Sequence, residues 1–175
     1  MAFRLAVVVL LMGCANAKSR FIDQYYTCEM GFFVSTTLAS DGISTTQADA
    51  QCQALATPVG DCGKRTWRAY LSSTTEHARD RIGKGPWYNS AGELLATSIE
   101  TLYASEPPLS RLLTQLKQNV TGSDFVMTGS NALGVLRLTC SASGNISFGV
   151  PGSAWSYASD SSCGGQYRFY CFASD

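Results

Sequence analysis

The chain has 175 residues, with thirteen basic and thirteen acidic side chains and a single histidine. The balanced charge excludes the basic face that nucleic-acid binding needs, and one imidazole leaves little for His-built metal centres or His-based catalysis. Charged residues make up 15% of the chain, below the usual quarter, and hydrophobic residues 45%, so the composition is that of a loop-rich packed domain and excludes a coiled coil or a disordered tail.

Arg4 precedes the apolar run Leu5-Ala-Val-Val-Val-Leu-Leu-Met12. A bilayer span needs about 20 residues, so this run reads as the hydrophobic part of a secretion signal. Two processing routes are open. Ala15-Asn16-Ala17 has the small-x-small pattern of ordinary cleavage, giving a signal peptide at 1–17, whereas Leu11-Met12-Gly13-Cys14 resembles a lipobox, giving a lipoprotein signal at 1–13 and a lipid anchor on Cys14. Residues 18–27 then form an N-terminal extension and residues 28–175 the domain proper. No second apolar run is long enough to span, and the expected location is secreted or at the cell surface.

With Cys14 assigned to the signal or the anchor, Cys28, Cys52, Cys62, Cys140, Cys163 and Cys171 remain. An even set in an oxidising compartment is expected to form disulfides, and six cysteines can pair in fifteen ways. No Cys-x-x-Cys offers the spacing of a zinc site.

In chain order, Phe32-Phe-Val-Ser-Thr-Thr37 predicts a first strand, and Ser44-Thr-Thr-Gln47 a capping box. The helix it opens places Ala48, Cys52 and Leu55 on one face and ends at Pro58 and Gly60. Thr66-Trp-Arg-Ala-Tyr-Leu-Ser72 predicts a second strand, and Ser73-Thr-Thr-Glu76 a second capping box that opens a helical turn through Arg79. Gly83-Lys-Gly-Pro-Trp-Tyr-Asn89 is turn chemistry carrying two aromatics. Leu109, Leu112, Leu113 and Leu116 form a stripe after Pro107-Pro108 and predict a helix of about three turns. Phe125-Val-Met127, Val135-Leu-Arg-Leu-Thr139 and Tyr167-Arg-Phe-Tyr-Cys-Phe172 predict short strands, with a long Gly/Ser-rich loop from Ser141 to Gln166. Loops of that length are usually functional or disordered. The order of elements makes the fold class α+β, with short antiparallel strands, two main helices and a long loop.

These features together resemble the C-type-lectin-like fold. They resemble more closely a group of secreted bacterial proteins within it that includes the leptospiral endostatin-like surface proteins. The matching segments are Phe32-Phe-Val-Ser, Ala48-Asp-Ala-Gln-Cys-Gln-Ala-Leu-Ala56, Thr66-Trp-Arg-Ala-Tyr-Leu-Ser72, Ala78-Arg-Asp-Arg-Ile-Gly83, Gly85-Pro-Trp-Tyr-Asn89 and Phe169-Tyr-Cys-Phe-Ala173, in the family's order. The resemblance implies that Cys52 pairs with Cys171 and that Cys140 pairs with Cys163 to close the long loop, which leaves Cys28 for Cys62. It also implies a surface-exposed binder of extracellular proteins.

The sugar-binding members hold calcium through a Glu-Pro-Asn or Gln-Pro-Asp triplet and a Trp-Asn-Asp, oxygen-rich sets that calcium requires. Here Glu106-Pro107-Pro108 lacks the Asn and no Trp-Asn-Asp occurs. Recognition is therefore expected to be calcium-independent, with no cofactor and no metal. His77 lacks a Gly-x-Ser-x-Gly elbow or a free thiol beside it and reads as a surface histidine, so no catalytic residue is expected. Arg79, Asp80 and Arg81 read as an ion-paired turn, with Asp80 holding one arginine. Trp67 is expected in the core. Trp87, Tyr88, Trp155, Tyr157 and Asp160 are the candidate ligand-binding residues, because aromatic side chains in polar loops anchor interfaces and also stack on sugars. Asn119-Val-Thr121 and Asn145-Ile-Ser147 match glycosylation sequons. The expected function is non-enzymatic, adhesion-like recognition of an extracellular-matrix or host protein, with carbohydrate binding on the loop aromatics as the alternative.

Overall fold

A computed structural model describes residues 28–175; the expected secretion signal, Cys14 and the expected extension 18–27 lie outside the described residues. Strand β1 (Phe32–Val34) and the two-residue strand β2 (Ala39–Ser40) lead into helix α1 (Thr45–Ala56). Ser44 caps α1 through the Gln47 backbone N–H, and the Gln47 side chain accepts from the Ser44 N–H in return, as the sequence predicts. A 3-10 turn at Gly60–Lys64 precedes β3 (Trp67–Ala69) and the single helical turn α2 (Ala78–Arg81). Then follow β4 (Trp87–Tyr88), β5 (Leu94–Ala96), α3 (Ile99–Ala104) and a second 3-10 turn at Leu109–Arg111. The last elements are β6 (Val126–Met127), α4 (Cys140–Ser143), β7 (Asn145–Val150), β8 (Ala154–Ser162), β9 (Gln166–Tyr167) and β10 (Tyr170–Ala173). The architecture is mixed α/β, and the paired strands are antiparallel. No helix among the described residues is long and apolar enough to cross a membrane.

The organising sheet has the order β1-β10-β3, so the last strand lies between two early ones. Cys171 stands opposite both Phe33 and Ala69, and Phe172 opposite both Phe32 and Arg68. Successive strand residues point to opposite faces, and here both faces are covered. Phe33, Trp67, Ala69 and Cys171 belong to one core with Ala48 and Cys52 of α1, while Phe32, Val34, Tyr170 and Phe172 belong to a second core with Trp87, Leu102, Leu112 and Trp155. That is why Phe169-Tyr-Cys-Phe-Ala173 is apolar without alternation.

Three disulfides fasten this framework: Cys28–Cys62, Cys52–Cys171 and Cys140–Cys163, the pairs that the resemblance implies. Cys52–Cys171 ties α1 to the middle strand of the sheet across a separation of 119 residues.

Four sequence expectations are corrected. The leucine stripe after Pro107-Pro108 is not a three-turn helix: only the 3-10 turn at Leu109–Arg111 forms, and Leu116 is 60% exposed. The chain there extends β1 instead, with the Val34 N–H donating to the Leu113 carbonyl at 2.8 Å and Leu112 entering the second core. Ser73 does not cap a helix. Its hydroxyl accepts from Thr75 and Glu76 within a turn, and Ser72 supplies the oxygen that accepts from the Ala78 N–H at 2.8 Å. Val135-Leu-Arg-Leu-Thr139 makes only an isolated bridge, between Leu136 and Ser130, and is no strand.

The stretch from Ser141 to Gln166 is not a loop. It forms α4 and the long hairpin β7–β8, in register from Asn145 opposite Ser162 to Phe148 opposite Ser159. The pairing then shifts at a bulge between Phe148 and Val150. A Cβ at Gly149 would collide with the Trp155 carbonyl, so the bulge requires glycine.

Candidate binding surfaces

Of the residues singled out in the sequence, Tyr157 and Asp160 come together, on the exposed side of β8. The guanidinium of Arg137 makes a fork with Asp160, Nη2 to Oδ2 at 2.7 Å and Nε to the two oxygens at 3.1 and 3.2 Å. Ser147 of β7 donates to Asp160 Oδ1 at 2.7 Å, and the Tyr157 hydroxyl donates to Oδ2 at 3.3 Å. The Arg137 guanidinium carbon also lies 4.7 Å from the centre of the Tyr157 ring, a cation–π contact. The hydrogen bonds from Arg137 hold the Asp160 carboxyl below the usual carboxylate range. The result is a rigid, partly exposed cluster that presents a planar cation on an aromatic face.

Arg137 was missed in the sequence. The available signal was an arginine breaking the apolar alternation of Val135-Leu-Arg-Leu-Thr139, which a charged residue does when its side points to solvent.

Trp155 and Trp87 are not loop residues open to a ligand. Trp155 is 4% exposed and packs against Tyr70 and Tyr103, with ring centres at 4.9 and 5.5 Å. Trp87 is 1% exposed, packs edge-on to Phe172, and donates its indole N–H to the Ala173 carbonyl at 3.2 Å. The second core needs large rings between β10, β4 and β8, and these two tryptophans supply them. Trp67 is buried as expected, its indole N–H donating to the Cys62 carbonyl at 2.8 Å.

Beneath Trp155 lies a buried chain of hydroxyls. Tyr70 shares 2.6 Å hydrogen bonds with Tyr103 and with Ser156, and Ser156 donates to the Asn131 carbonyl at 2.9 Å. Burial pushes Tyr103 up to about 12 and Tyr70 well above its ordinary value, so both remain neutral donors.

The remaining candidates have structural partners. His77 Nδ1 accepts from the Leu136 N–H at 3.1 Å and pins that segment. Among the described residues, Asp80 forms no ion pair with an arginine. Arg81 is buried and bridges Asp49 at 2.7 Å and Glu76 at 2.5 Å, while Arg79 lies over the Tyr103 ring at 5.4 Å. Glu106 accepts from the Trp155 N–H at 3.1 Å and so orders the start of β8. Asn119 and Asn145 are both exposed. Asp41, Cys140 and Cys163 converge closely enough to suggest a metal trio. Both sulfurs are in a disulfide, however, and Asp41 Oδ2 accepts from the N–H groups of Gly164 and Gly165 at 2.8 and 2.9 Å. The trio therefore has no thiolate to offer an ion.

Tyr88 is the one candidate aromatic with a substantially open ring, 36% exposed. It lines a cleft of about 390 Å³ with Glu29 and Arg65. That cleft adjoins a larger one of about 580 Å³, sharing Glu29 and Gly92 with it, and the larger one is also lined by Asn89, Gln115 and Lys117. Asn89 is occupied in a turn, its Oδ1 accepting from Ala91 and Glu93.

Comparison with known proteins finds neither a protein-family model nor a curated protein sequence that matches the chain.

Proposed function

We propose that this chain is a secreted or surface-tethered, C-type-lectin-like binding module that recognises extracellular proteins without calcium and catalyses no reaction. The fold reading rests on the adjacency of the first and last strands, the tie from α1 to the last strand through Cys52–Cys171, and the closure of the long excursion by Cys140–Cys163. The observation that carries the binding reading is the Arg137–Tyr157–Asp160 cluster on the stapled hairpin. Tyrosine and arginine dominate interface hot spots, and a preordered pair loses little entropy on binding. Calcium independence follows from Glu106-Pro107-Pro108, which departs from the calcium triplets and whose carboxylate already accepts from Trp155.

The test is a panel of extracellular-matrix proteins and glycans probed with the oxidised chain, in calcium and then in EDTA. Binding to a matrix protein that survives EDTA and weakens about tenfold in Tyr157→Ala supports the proposal, that factor being typical of one lost interface anchor. A second reading, carbohydrate recognition, is favoured by the open ring of Tyr88 at the edge of a cleft, since an exposed aromatic face can stack on a sugar. Trp87 and Trp155 cannot serve it, being buried.

A further inference from the structure

A third pocket, of about 230 Å³, lies between the start of α1 and the turn before α2. Its lining holds one charged residue, Asp41, and neither a lysine nor an arginine. Asp41 is 8% exposed and forms no ion pair among the described residues. A buried carboxylate without a counter-ion is costly unless its oxygens are satisfied.

The two oxygens of Asp41 differ. Oδ2 accepts from the N–H groups of Gly164 and Gly165 at 2.8 and 2.9 Å and so ties down the chain beside the Cys140–Cys163 disulfide. Oδ1 accepts no hydrogen bond among the described residues. It is not sealed either: the unpartnered side-chain oxygens cut off from solvent are those of Gln51, Gln115 and Tyr170. The structural task of Asp41 accounts for one oxygen and leaves the other open. The N-terminus of α1 forms part of the wall and eases the charge. Its donors go elsewhere, the Gln47 N–H to the Ser44 hydroxyl and the Ala48 N–H to the Ser44 carbonyl.

The rest of the lining narrows the choice of cation. Leu71 and Ile146, both buried, and the half-buried Ile43 supply an apolar wall, while Thr45, Thr74 and Ser141 supply hydroxyl oxygens. Calcium needs six to eight oxygens and gains nothing from hydrocarbon. A guanidinium is held best by both oxygens of a carboxylate, and Oδ2 is already taken. A lysine side chain meets both halves of the pocket. Its ammonium is a compact charge that one carboxylate oxygen and nearby hydroxyls can satisfy, and its methylene stem lies on apolar surface. The volume is below the roughly 300 Å³ at which sites for drug-sized ligands begin, and suits a single side chain.

We infer that this pocket takes a lysine side chain of a partner protein, with the ammonium on Asp41 Oδ1 and the stem against Ile43, Leu71 and Ile146. The inference rests on the protein-binding reading for the source of the lysine. It uses a different surface, since Arg137, Tyr157 and Asp160 do not line the pocket.

The experiment is an amide-shift NMR titration of the intact, oxidised chain with Nα-acetyl-lysine methylamide, its arginine and norleucine counterparts, cadaverine and calcium chloride. Saturable shifts with the lysine derivative are expected at residues 41–45, 71–75 and 139–141. The norleucine compound keeps the stem without the ammonium and should bind about tenfold more weakly or worse, as should the arginine compound. Cadaverine represents a free amine as the source and should bind no more tightly than the lysine derivative, because its second ammonium meets no second acid. Asp41→Asn is expected to weaken the lysine derivative about tenfold or more, as loss of a charge-assisted hydrogen bond would. Thr74→Arg sets a like charge at an exposed position of the rim, leaves the Asp41 hydrogen bonds in place, and should weaken it too. Tyr157→Ala should leave the response unchanged, which separates failure of this pocket from failure of the hairpin surface. An equal response to the norleucine or arginine compound, tighter binding of cadaverine, the same shifts with calcium, unchanged affinity in both pocket variants, loss of the response in Tyr157→Ala, or no saturable response would each overturn it.

Discussion

At Asp160 donors from Arg137, Ser147 and Tyr157 converge on one carboxylate, and the hydrogen bonds from Arg137 do most to keep it ionised. A carboxylate whose folded pKa lies below its unfolded value, about 4, stabilises the fold above that value, and the contribution is lost as the pH falls through the folded pKa. Hairpin-face binding and the urea midpoint are therefore expected to decline together below about pH 4, with Asp160→Asn flattening that part of both profiles. Partner binding by Asp160→Asn equal to that of the wild type at pH 7 would mean that the cluster has no role in recognition. At Trp155 the expectation is the opposite of the one drawn from the sequence. Trp155→Ala should lower stability by about 3–5 kcal/mol in a denaturant titration, because it empties a site that Tyr70, Tyr103 and Tyr170 surround. The sequence made Tyr157 and Asp160 legible as a surface, since both stand in a polar stretch. It hid the burial of Trp155 and Trp87, because glycine and serine around a ring describe the local backbone and not what the rest of the chain lays over it.

Among elements, α1 was legible because its signals agree: a capping serine, a glutamine three residues on, and small apolar residues at helical spacing. Helix α3 was not, since its box closes with Thr101 in place of the usual Glu or Gln, although Thr101 does accept from the Ser98 N–H at 2.9 Å. The leucine stripe misled because a short helix is marginal by itself, and the free edge of β1 offered the Leu113 carbonyl a better partner. The β7–β8 hairpin was read as a loop from its Gly/Ser content, although Ile146, Phe148 and Val150 alternate as a strand should. The hairpin is fastened at its base by Cys140–Cys163, 23 residues apart. Replacing both cysteines with serine should cost about 3 kcal/mol in the chain-entropy model. It should also weaken partner binding through loss of order in Arg137, Tyr157 and Asp160. Retained affinity in a folded double variant would remove the hairpin from the recognition account.

For the molecule as a whole, two cores back to back across β1-β10-β3 make the terminal strand the most consequential segment. Cys52–Cys171 encloses 119 residues of sequence separation, and its loss is expected to cost about 4–5 kcal/mol, read as a drop in the urea midpoint of Cys52→Ala/Cys171→Ala. That is a large part of the total stability of an ordinary domain. The most direct measurement of the central claim is the affinity of the oxidised chain for extracellular-matrix proteins in calcium and in EDTA, for the wild type and for Tyr157→Ala. The account predicts binding unchanged by EDTA and about tenfold weaker in the variant. Binding abolished by EDTA, or equal in wild type and variant, would contradict it.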